Sequence, residues 1–379
     1  MNSKERAKIA FSRGLPDRPA LGFFAIDSDT AGKVLGRETY WRAKAKSQIA
    51  FWEGRRDEVV QSWIEDGIEL YKKLDIIDII PVCCDAAGMC PPKDYEPDPP
   101  KKIDDSTWVD KAGCVYKYSP VTKDITMVED PGQWSRQYKL EDELWDGKVE
   151  RPDESIFEVV DAFIDAFGKD KFILGPAGDE NVWLLLGGME RGMMEIASRP
   201  EEVKEIYMSR VKQAEAVDEY YIRPGQDGIL WGEDIAFQGG PMINPRTYRE
   251  LFLHGFTQRI SHVKEFGQTL VKHSCGNNWD VLDMFVEAGI DCYQSIQASA
   301  GMDIAEVQKK YKDDFAVWGG VPVENLIGGT AEDVRGDVDK VMKNVAGNGG
   351  FVLGTSHSVA VGSNYDNFMA LLDQFNELV

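Results

Sequence analysis

Eight short apolar or β-branched runs recur along the chain, and they alternate with amphipathic stretches of helical periodicity. The runs are LGFFAI (21–26), IIDIIPV (76–82), FILG (172–175), GILWGE (228–233), QTLVKHSC (268–275), CYQSIQ (292–297), FAVWGG (315–320) and FVLG (351–354). A strand followed by a helix pairs in parallel with the next strand, because the crossover brings the chain back in the same direction. Eight such units are the number that closes a (β/α)8 barrel. The rival arrangement is a doubly wound open sheet, and it lacks its usual support: no Gly-x-Gly-x-x-Gly turn follows an early strand.

The helices predicted between these runs cover 62–74, 154–168, 200–221, 244–267 and 330–346. Asp, Asn or Thr caps precede three of them, and the last has Glu332 in its first turn and Lys340 and Lys343 near its end, as a helix dipole prefers. Residues 83–150 break the repeat. They are rich in Pro, Gly and alternating polar and apolar positions, which predicts turns and short antiparallel strands. The first half of this interval is too polar for a core of its own, so the expectation is a single barrel domain over 1–379 with 83–150 inserted after strand two, covering part of the mouth.

Composition narrows the function classes. The 379 residues carry Lys+Arg 43 against Asp+Glu 65, a formal net charge of -22. That field repels phosphate backbones and anionic headgroups, which argues against nucleic acid and membrane surfaces as partners. No signal-peptide pattern opens the chain and no run is long and apolar enough to span a bilayer. Six cysteines without a regular framework fit a reducing cytoplasm. Self-association, most simply as a homodimer, is the default for a barrel enzyme.

Barrel enzymes carry their reactive groups at the C-terminal ends of strands. The ionisable residues there are Asp27, Asp29, Asp85, Asp179, Glu180, Glu233, Asp234, His273, Cys275 and His357. The sharpest signal is VKHSCGNNWD. Residues i and i+2 of an extended segment share a side, so His273 and Cys275 converge while Ser274 faces away, and Gly276 lets the backbone turn closely. Imidazole with thiolate suits zinc; a packed cysteine beside a hydrogen-bonded histidine is the alternative. His357, after strand eight, can reach the same mouth and serve as a third ligand, with Glu233, water or substrate completing the set. His254 and His262 read as helix surface or packing residues. Of the adjacent pair Glu233 and Asp234, only one is expected to face the mouth, and Glu233 is preferred. Asp179 is either a substrate-facing carboxylate or, with Glu180, part of a helix cap. Phe24, Trp183, Trp231 and Trp318 are candidates for an aromatic pocket, or for barrel filling. Cys83, Cys84 and Cys292 read as buried.

The segments LGPAGDENVWLLLGG, GILWGEDIAFQGGPMINPRTYRELF, VKHSCGNNWDVLDMFVEAGIDCYQSI, WGGVPVENLIGGTAEDV and FVLGTSHSVAVGSNYDNFMALL, in that order, resemble the uroporphyrinogen decarboxylase superfamily and within it the cobalamin-dependent methyltransferase branch. The resemblance covers roughly residues 170–379. It implies a (β/α) barrel and, for the methyltransferases, zinc held by His-x-Cys after strand five and a cysteine after the last strand. His273 and Cys275 match the first part, whereas Ser356 and His357 stand where the cysteine belongs; the decarboxylases have a histidine there. His357 is then either the third ligand or an acid or base. The decarboxylases also hold their tetrapyrrole's carboxylates with an N-terminal arginine-rich segment, for which this chain offers Arg13 and Arg18 and then two aspartates.

The expectation is a zinc-dependent methyltransferase that works with a corrinoid protein on a small methylated compound, a methoxylated aromatic among the candidates. Glu233, Asp179 and His357 are its candidate catalytic groups. A metal-free decarboxylase or lyase is the runner-up, and a binding barrel without catalysis is the third reading.

Overall fold

The computed structural model describes residues 1–83 and 87–379; Cys84 and Asp85 lie outside the described residues. Eight parallel strands form one sheet: Ala20–Leu21, Ile79–Pro81, Phe172–Gly175, Gly228–Trp231, Thr269–Ser274, Cys292–Ser295, Ala316–Val321 and Phe351–Thr355. Taken in chain order as strands one to eight, each lies beside its predecessor and its successor, and the first pairs with the eighth. A parallel bridge between Gly22 and Ile79 brings strand one to strand two, so the sheet curls into a nearly closed barrel. The fold class is the (β/α)8 barrel with an insertion after strand two.

Two apolar layers hold it. Inside the barrel, Ala20, Ile79, Phe172, Leu230, Val271, Cys292 and Val352 meet with Ala7, Ala10 and Phe11 of the N-terminal helix Ser3–Phe11, which plugs the barrel end. Outside, a larger core fills the space between strands and helices. Trp318 belongs to the inner layer. It is fully buried, its ring lies 6.4 Å from that of Phe11, and its indole N–H donates to the Gly22 carbonyl at 3.0 Å. Gly22 is required there, since a Cβ would sit 2.8 Å from the Trp318 ring. Trp318 therefore fills the barrel and does not line the mouth. Trp183 also differs from the pocket reading: with Val182 and Leu186 it is buried in the main core, because the loop after strand three turns its apolar side chains inward.

The helices match the sequence periodicity with three differences, the first being that 154–168 opens as a 3-10 turn over Glu154–Phe157 before the helix Glu158–Phe167. The stretch 244–267 is two helices, Pro245–Leu251 and Leu253–Glu265, with Phe252 between them, and the helix expected from 62 begins at Arg56. Asp153, Asn244 and Thr330 supply the side-chain caps. In the insertion, Lys101–Lys102, Thr107–Val109, Val115–Ser119 and Asp124–Glu129 form a four-stranded antiparallel meander. It packs Trp108, Ile125 and Tyr116 on Ala45, Ile49 and Trp52 of the helix Lys44–Trp52. No helix among the described residues is long and apolar enough to cross a membrane.

Of the two arginines that the sequence offers before strand one, Arg13 is exposed and donates to the Asp314 backbone oxygen at 3.5 Å, while Arg18 joins Arg6 in a structural network. Asp78, fully buried before strand two, accepts from Arg6 at 2.7 Å, from Arg18 at 2.8 and 3.1 Å, and from the Leu21 backbone at 2.9 Å. This network ties the N-terminal helix and strands one and two together at the plugged end, far from any role in holding substrate. Removing Asp78 strips Arg18 of its carboxylate partner and leaves Arg6 only Asp17, and breaking a buried pair in this way costs roughly 3–5 kcal/mol. Asp78→Ala should therefore lose about 3 kcal/mol or more of unfolding free energy in a denaturant titration, whereas a loss under about 1 kcal/mol would contradict this role.

Candidate metal centre and cavity

Strand five ends in Lys272, His273 and Ser274 with Cys275 just past it, and the parallel register with strand six places His273 beside Gln294. His273 is buried and its Nδ1 bonds the Gln294 side-chain oxygen. An amide oxygen only accepts, so Nδ1 carries the proton and Nε2 keeps its lone pair, the tautomer a metal ligand needs. That Nε2 lies 3.4 Å from Cys275 Sγ. His357, after strand eight, brings its ring centroid to 5.5 Å from that of His273. The donor atoms of His273, Cys275 and His357 all lie within 4.8 Å of one another, close enough to share one metal ion. The ring of Phe24 flanks both histidines, 4.4 Å from His273 and 6.0 Å from His357.

The turn that follows is built to bring Cys275 here. Ser274 points away from the cluster, as expected, and with Asn278 and the Tyr293 hydroxyl it satisfies the backbone behind it. Gly276 has φ +84°, and a Cβ there would sit 2.6 Å from the Ala236 carbonyl oxygen. Asp234 accepts the Cys275 N–H at 2.6 Å and stands 3.8 Å from His273 Nε2. On the other side Ser295, at the end of strand six with φ +100°, donates its hydroxyl proton to Ser356 O at 2.7 Å and lies 3.3 Å from Cys275 Sγ. Its proton being committed, Ser295 is left to accept from the thiol. A non-glycine residue held at such a φ is strained, and the strain here aims a hydroxyl at Cys275.

Burial sets the protonation of all three groups. It pushes His273 down to about 4, with His357 adding to the effect, and it lowers His357 as well. Burial, reinforced by Asp234, pushes the Cys275 thiol up to about 12. Near neutral pH the imidazoles are therefore free bases and the thiol keeps its proton. Metal capture costs the removal of that single thiol proton, which a bound cation achieves through its own charge.

A cavity of about 970 Å³ opens beside the cluster. His357 belongs to both, and Phe24 and Trp231 line the cavity. Asp179 is exposed at its rim, its backbone oxygen held by Arg259 at 3.1 Å. No helix begins at Asp179 or Glu180, which removes the capping alternative. Glu180 is instead buried and ion-paired with Lys272. Glu233 also lines the cavity, and its carboxyl is pushed up to about 7 by burial and then by the neighbouring Glu180 charge. Asp27, buried, pairs with Arg42 at 2.9 Å, and both line the same space. Lys44, Ser47, Gln48 and Phe51 present one face of their helix to it, while the opposite face carries the meander. Met89 and Val121 of the inserted region line it too. Of the remaining histidines, His254 is exposed and His262 bonds the buried Asp218 at 2.8 Å.

Asp234, Lys272, Gln294 and Ser295 were not singled out for these roles by sequence. Lys272 sits between Val271 and His273 like any outward strand residue, and Gln294 becomes visible only once the register of strands five and six is known.

The uroporphyrinogen decarboxylase (URO-D) family model matches residues 186–378, a span that holds all three donors of the cluster. No curated protein sequence matches the chain. Among solved structures, a methyltransferase from Methanosarcina mazei superposes with TM-score 0.64 at 12% identity, over 100% of this chain and 99% of that one. A 3-keto-D-glucoside 4-epimerase from E. coli gives TM-score 0.33 at 12% identity, over 58% and 83%.

The depressed His273 has a consequence for stability. Between about pH 6.5 and pH 4 the unfolded imidazole binds a proton that the folded one refuses, so folding weakens as pH falls through that window. In chelator-treated protein, His273→Gln should remove this dependence, narrowing the acid-side loss by on the order of 2–3 kcal/mol at pH 4. Equal losses in wild type and variant would show that His273 is not held as described.

Proposed function

The chain belongs to the uroporphyrinogen decarboxylase (URO-D) family, and from that premise we propose that it is a zinc-dependent methyltransferase, moving a methyl group between a small methylated substrate and a corrinoid carried by a partner protein. The observation that carries this reading is the convergence of His273, Cys275 and His357 at the cavity wall. Two imidazoles and a thiolate are a borderline-soft donor set that zinc accepts, and three protein donors leave a position open for an exchangeable group. His357 takes the place of the cysteine that the family resemblance leads one to expect. The likeness in fold to a methyltransferase agrees with the reading.

Bound zinc supplies a Lewis acid that polarises the oxygen, sulfur or nitrogen from which the methyl group departs or to which it is added. The chain's own residues do the rest. Gln294 fixes the tautomer and orientation of His273. Asp234 and Ser295 hold Cys275 in place from either side. Phe24 covers the imidazoles and keeps bulk water from them. Phe24 and Trp231 line a cavity larger than a methyl group and its heteroatom alone would fill.

A decarboxylase acting on a polycarboxylate is less well supported. Such a substrate needs several unpaired cations, yet Arg6 and Arg18 are bound to Asp78 at the plugged end and the Arg42 that lines the cavity pairs with Asp27. The acidic balance of the chain points the same way.

Purified without chelator, the protein should contain stoichiometric zinc. Cys275→Ala and His357→Ala should each lower zinc affinity by at least about 100-fold in competition with a chromophoric chelator, and Gln294→Ala by about 10-fold or more. With a corrinoid protein and methylated substrates, wild type should convert cobalt(I) to methyl-cobalt, followed by its absorption spectrum. Protein that binds no transition metal tightly would sink the zinc assignment.

A further inference from the structure

We propose that Asp234 is the fourth protein ligand of the metal centre, completing a set of two imidazoles, one thiolate and one carboxylate. The inference rests on the metal assignment of the preceding subsection. It puts Asp234 in the place that sequence alone leaves to Glu233, water or substrate.

Asp234 stands among the donors. Its Oδ1 lies 3.8 Å from Nε2 of His273, the nitrogen that keeps its lone pair, and accepts the Cys275 N–H at 2.6 Å. A tetrahedral zinc with bonds of about 2.0–2.1 Å to nitrogen, about 2.0–2.2 Å to oxygen and about 2.3 Å to sulfur holds its nitrogen and oxygen ligands about 3.4 Å apart, and nitrogen and sulfur about 3.6 Å apart. The separations from His273 Nε2 are 3.8 Å to Asp234 Oδ1 and 3.4 Å to Cys275 Sγ, both close to those values. The charge of Asp234 also reaches every donor: it adds to burial in raising the Cys275 thiol, and at both imidazoles it works against burial. Among the described residues its one ion-pair contact is with His273 itself, which is a free base near neutral pH, so the carboxylate is left without a cation. Glu233 is engaged elsewhere, its carboxyl accepting the Val182 N–H at 3.3 Å on the cavity wall.

The backbone fixes Asp234 in this place. Lys272 Nζ donates to the Glu233 carbonyl at 2.6 Å, and the Ile235 N–H donates to Ser274 Oγ at 3.3 Å. Glu180, ion-paired with Lys272, accepts the Glu233 N–H at 2.7 Å. Lys272 and Ser274 alternate with His273 and Cys275 along strand five and the turn after it. The two residues that face away from the cluster therefore hold the chain on either side of Asp234, and the two that form it meet its carboxylate. Farther along, the Asn277 N–H donates to the Phe237 carbonyl at 2.8 Å, which ties the loops after strands four and five together.

Charge favours the same assignment. Zn2+ with one thiolate and two neutral imidazoles leaves one positive charge uncompensated, in a site where His273 is buried and Phe24 flanks both rings. Such a charge is costly to bury, and one carboxylate makes the centre neutral. The Asp234 side chain is 41% exposed against 4% for His273, which gives it room to turn onto the metal. The position that three donors leave open is then filled by Asp234 in the resting protein.

The test uses the full chain loaded with zinc, read by crystallography with anomalous scattering at the zinc edge and by competition with a chromophoric chelator. An Asp234 oxygen should lie about 2.0–2.2 Å from the metal, beside His273, Cys275 and His357. Asp234→Asn keeps an oxygen to accept the Cys275 N–H but removes the charged ligand, and it should lower zinc affinity by about 100-fold or more. Asp234→Ala, which loses both, should fall no more than about 10-fold further. A role confined to supporting Cys275 reverses this pattern, with Asp234→Asn close to wild type and Asp234→Ala well below it. Zinc held by the other three donors with Asp234 more than about 3 Å away, or Asp234→Asn within about threefold of wild type, overturns the ligand role and leaves the metal assignment standing. Protein that takes up no zinc overturns both.

Discussion

The parallel register of strands four, five and six is the constraint on which the site depends. It sets Trp231 beside Lys272, Lys272 beside Tyr293, and His273 beside Gln294. Because side chains alternate along a strand, the same register that directs His273 toward the barrel mouth sends Lys272 into the wall behind it. A slip of a single residue would exchange them. The imidazole would lose the Gln294 oxygen that fixes its tautomer, and Glu180 would be left buried without its ammonium partner.

Two buried charge networks divide the labour between the ends of the barrel. At the plugged end, Arg6, Arg18 and Asp78 clamp the N-terminal helix to strands one and two. Near the mouth, Lys272 with Glu180 and Arg259 with Asp218 hold the loop after strand three and the residues just past strand four. Buried ion pairs of this kind contribute little net stability beside an apolar alternative, but they hold backbone in one place. The backbone held here belongs to Glu233 and Asp234, which serve different ends: one faces the cavity, the other supports Cys275.

Much of this was legible from spacing alone. The eight apolar runs point to the barrel, and the i, i+2 rule together with the scarcity of histidine points to His273, Cys275 and His357 as one site. What stayed hidden depended on depth and register. Trp318 and Trp231 both occur near strand ends, yet Trp318 fills the barrel interior while Trp231 reaches the cavity. Their facing separates them: Trp318 shares the inward face of its strand with Ala316, whereas Trp231 follows the inward Leu230 and turns outward onto Phe256 and Arg259. Lys272 and Gln294 were equally silent, because a buried lysine and a neutral amide acquire their meaning from partners on other strands. The helix Lys44–Trp52 is silent as a cavity wall for a related reason: its apolar Ala45, Ile49 and Trp52 turn to the insertion while Lys44, Ser47, Gln48 and Phe51 meet the cavity, and its sequence does not say which layer each face meets.

The central claim is that one sulfur and two imidazole nitrogens of this chain hold a zinc ion at the cavity wall. X-ray absorption at the zinc edge of the native protein tests it most directly. The account predicts a coordination shell with a single sulfur at the usual zinc–thiolate distance of about 2.3 Å and imidazole nitrogens near 2.0–2.1 Å, the sulfur contribution vanishing in Cys275→Ser. A shell of oxygens alone, or a sulfur signal that persists in that variant, would contradict it.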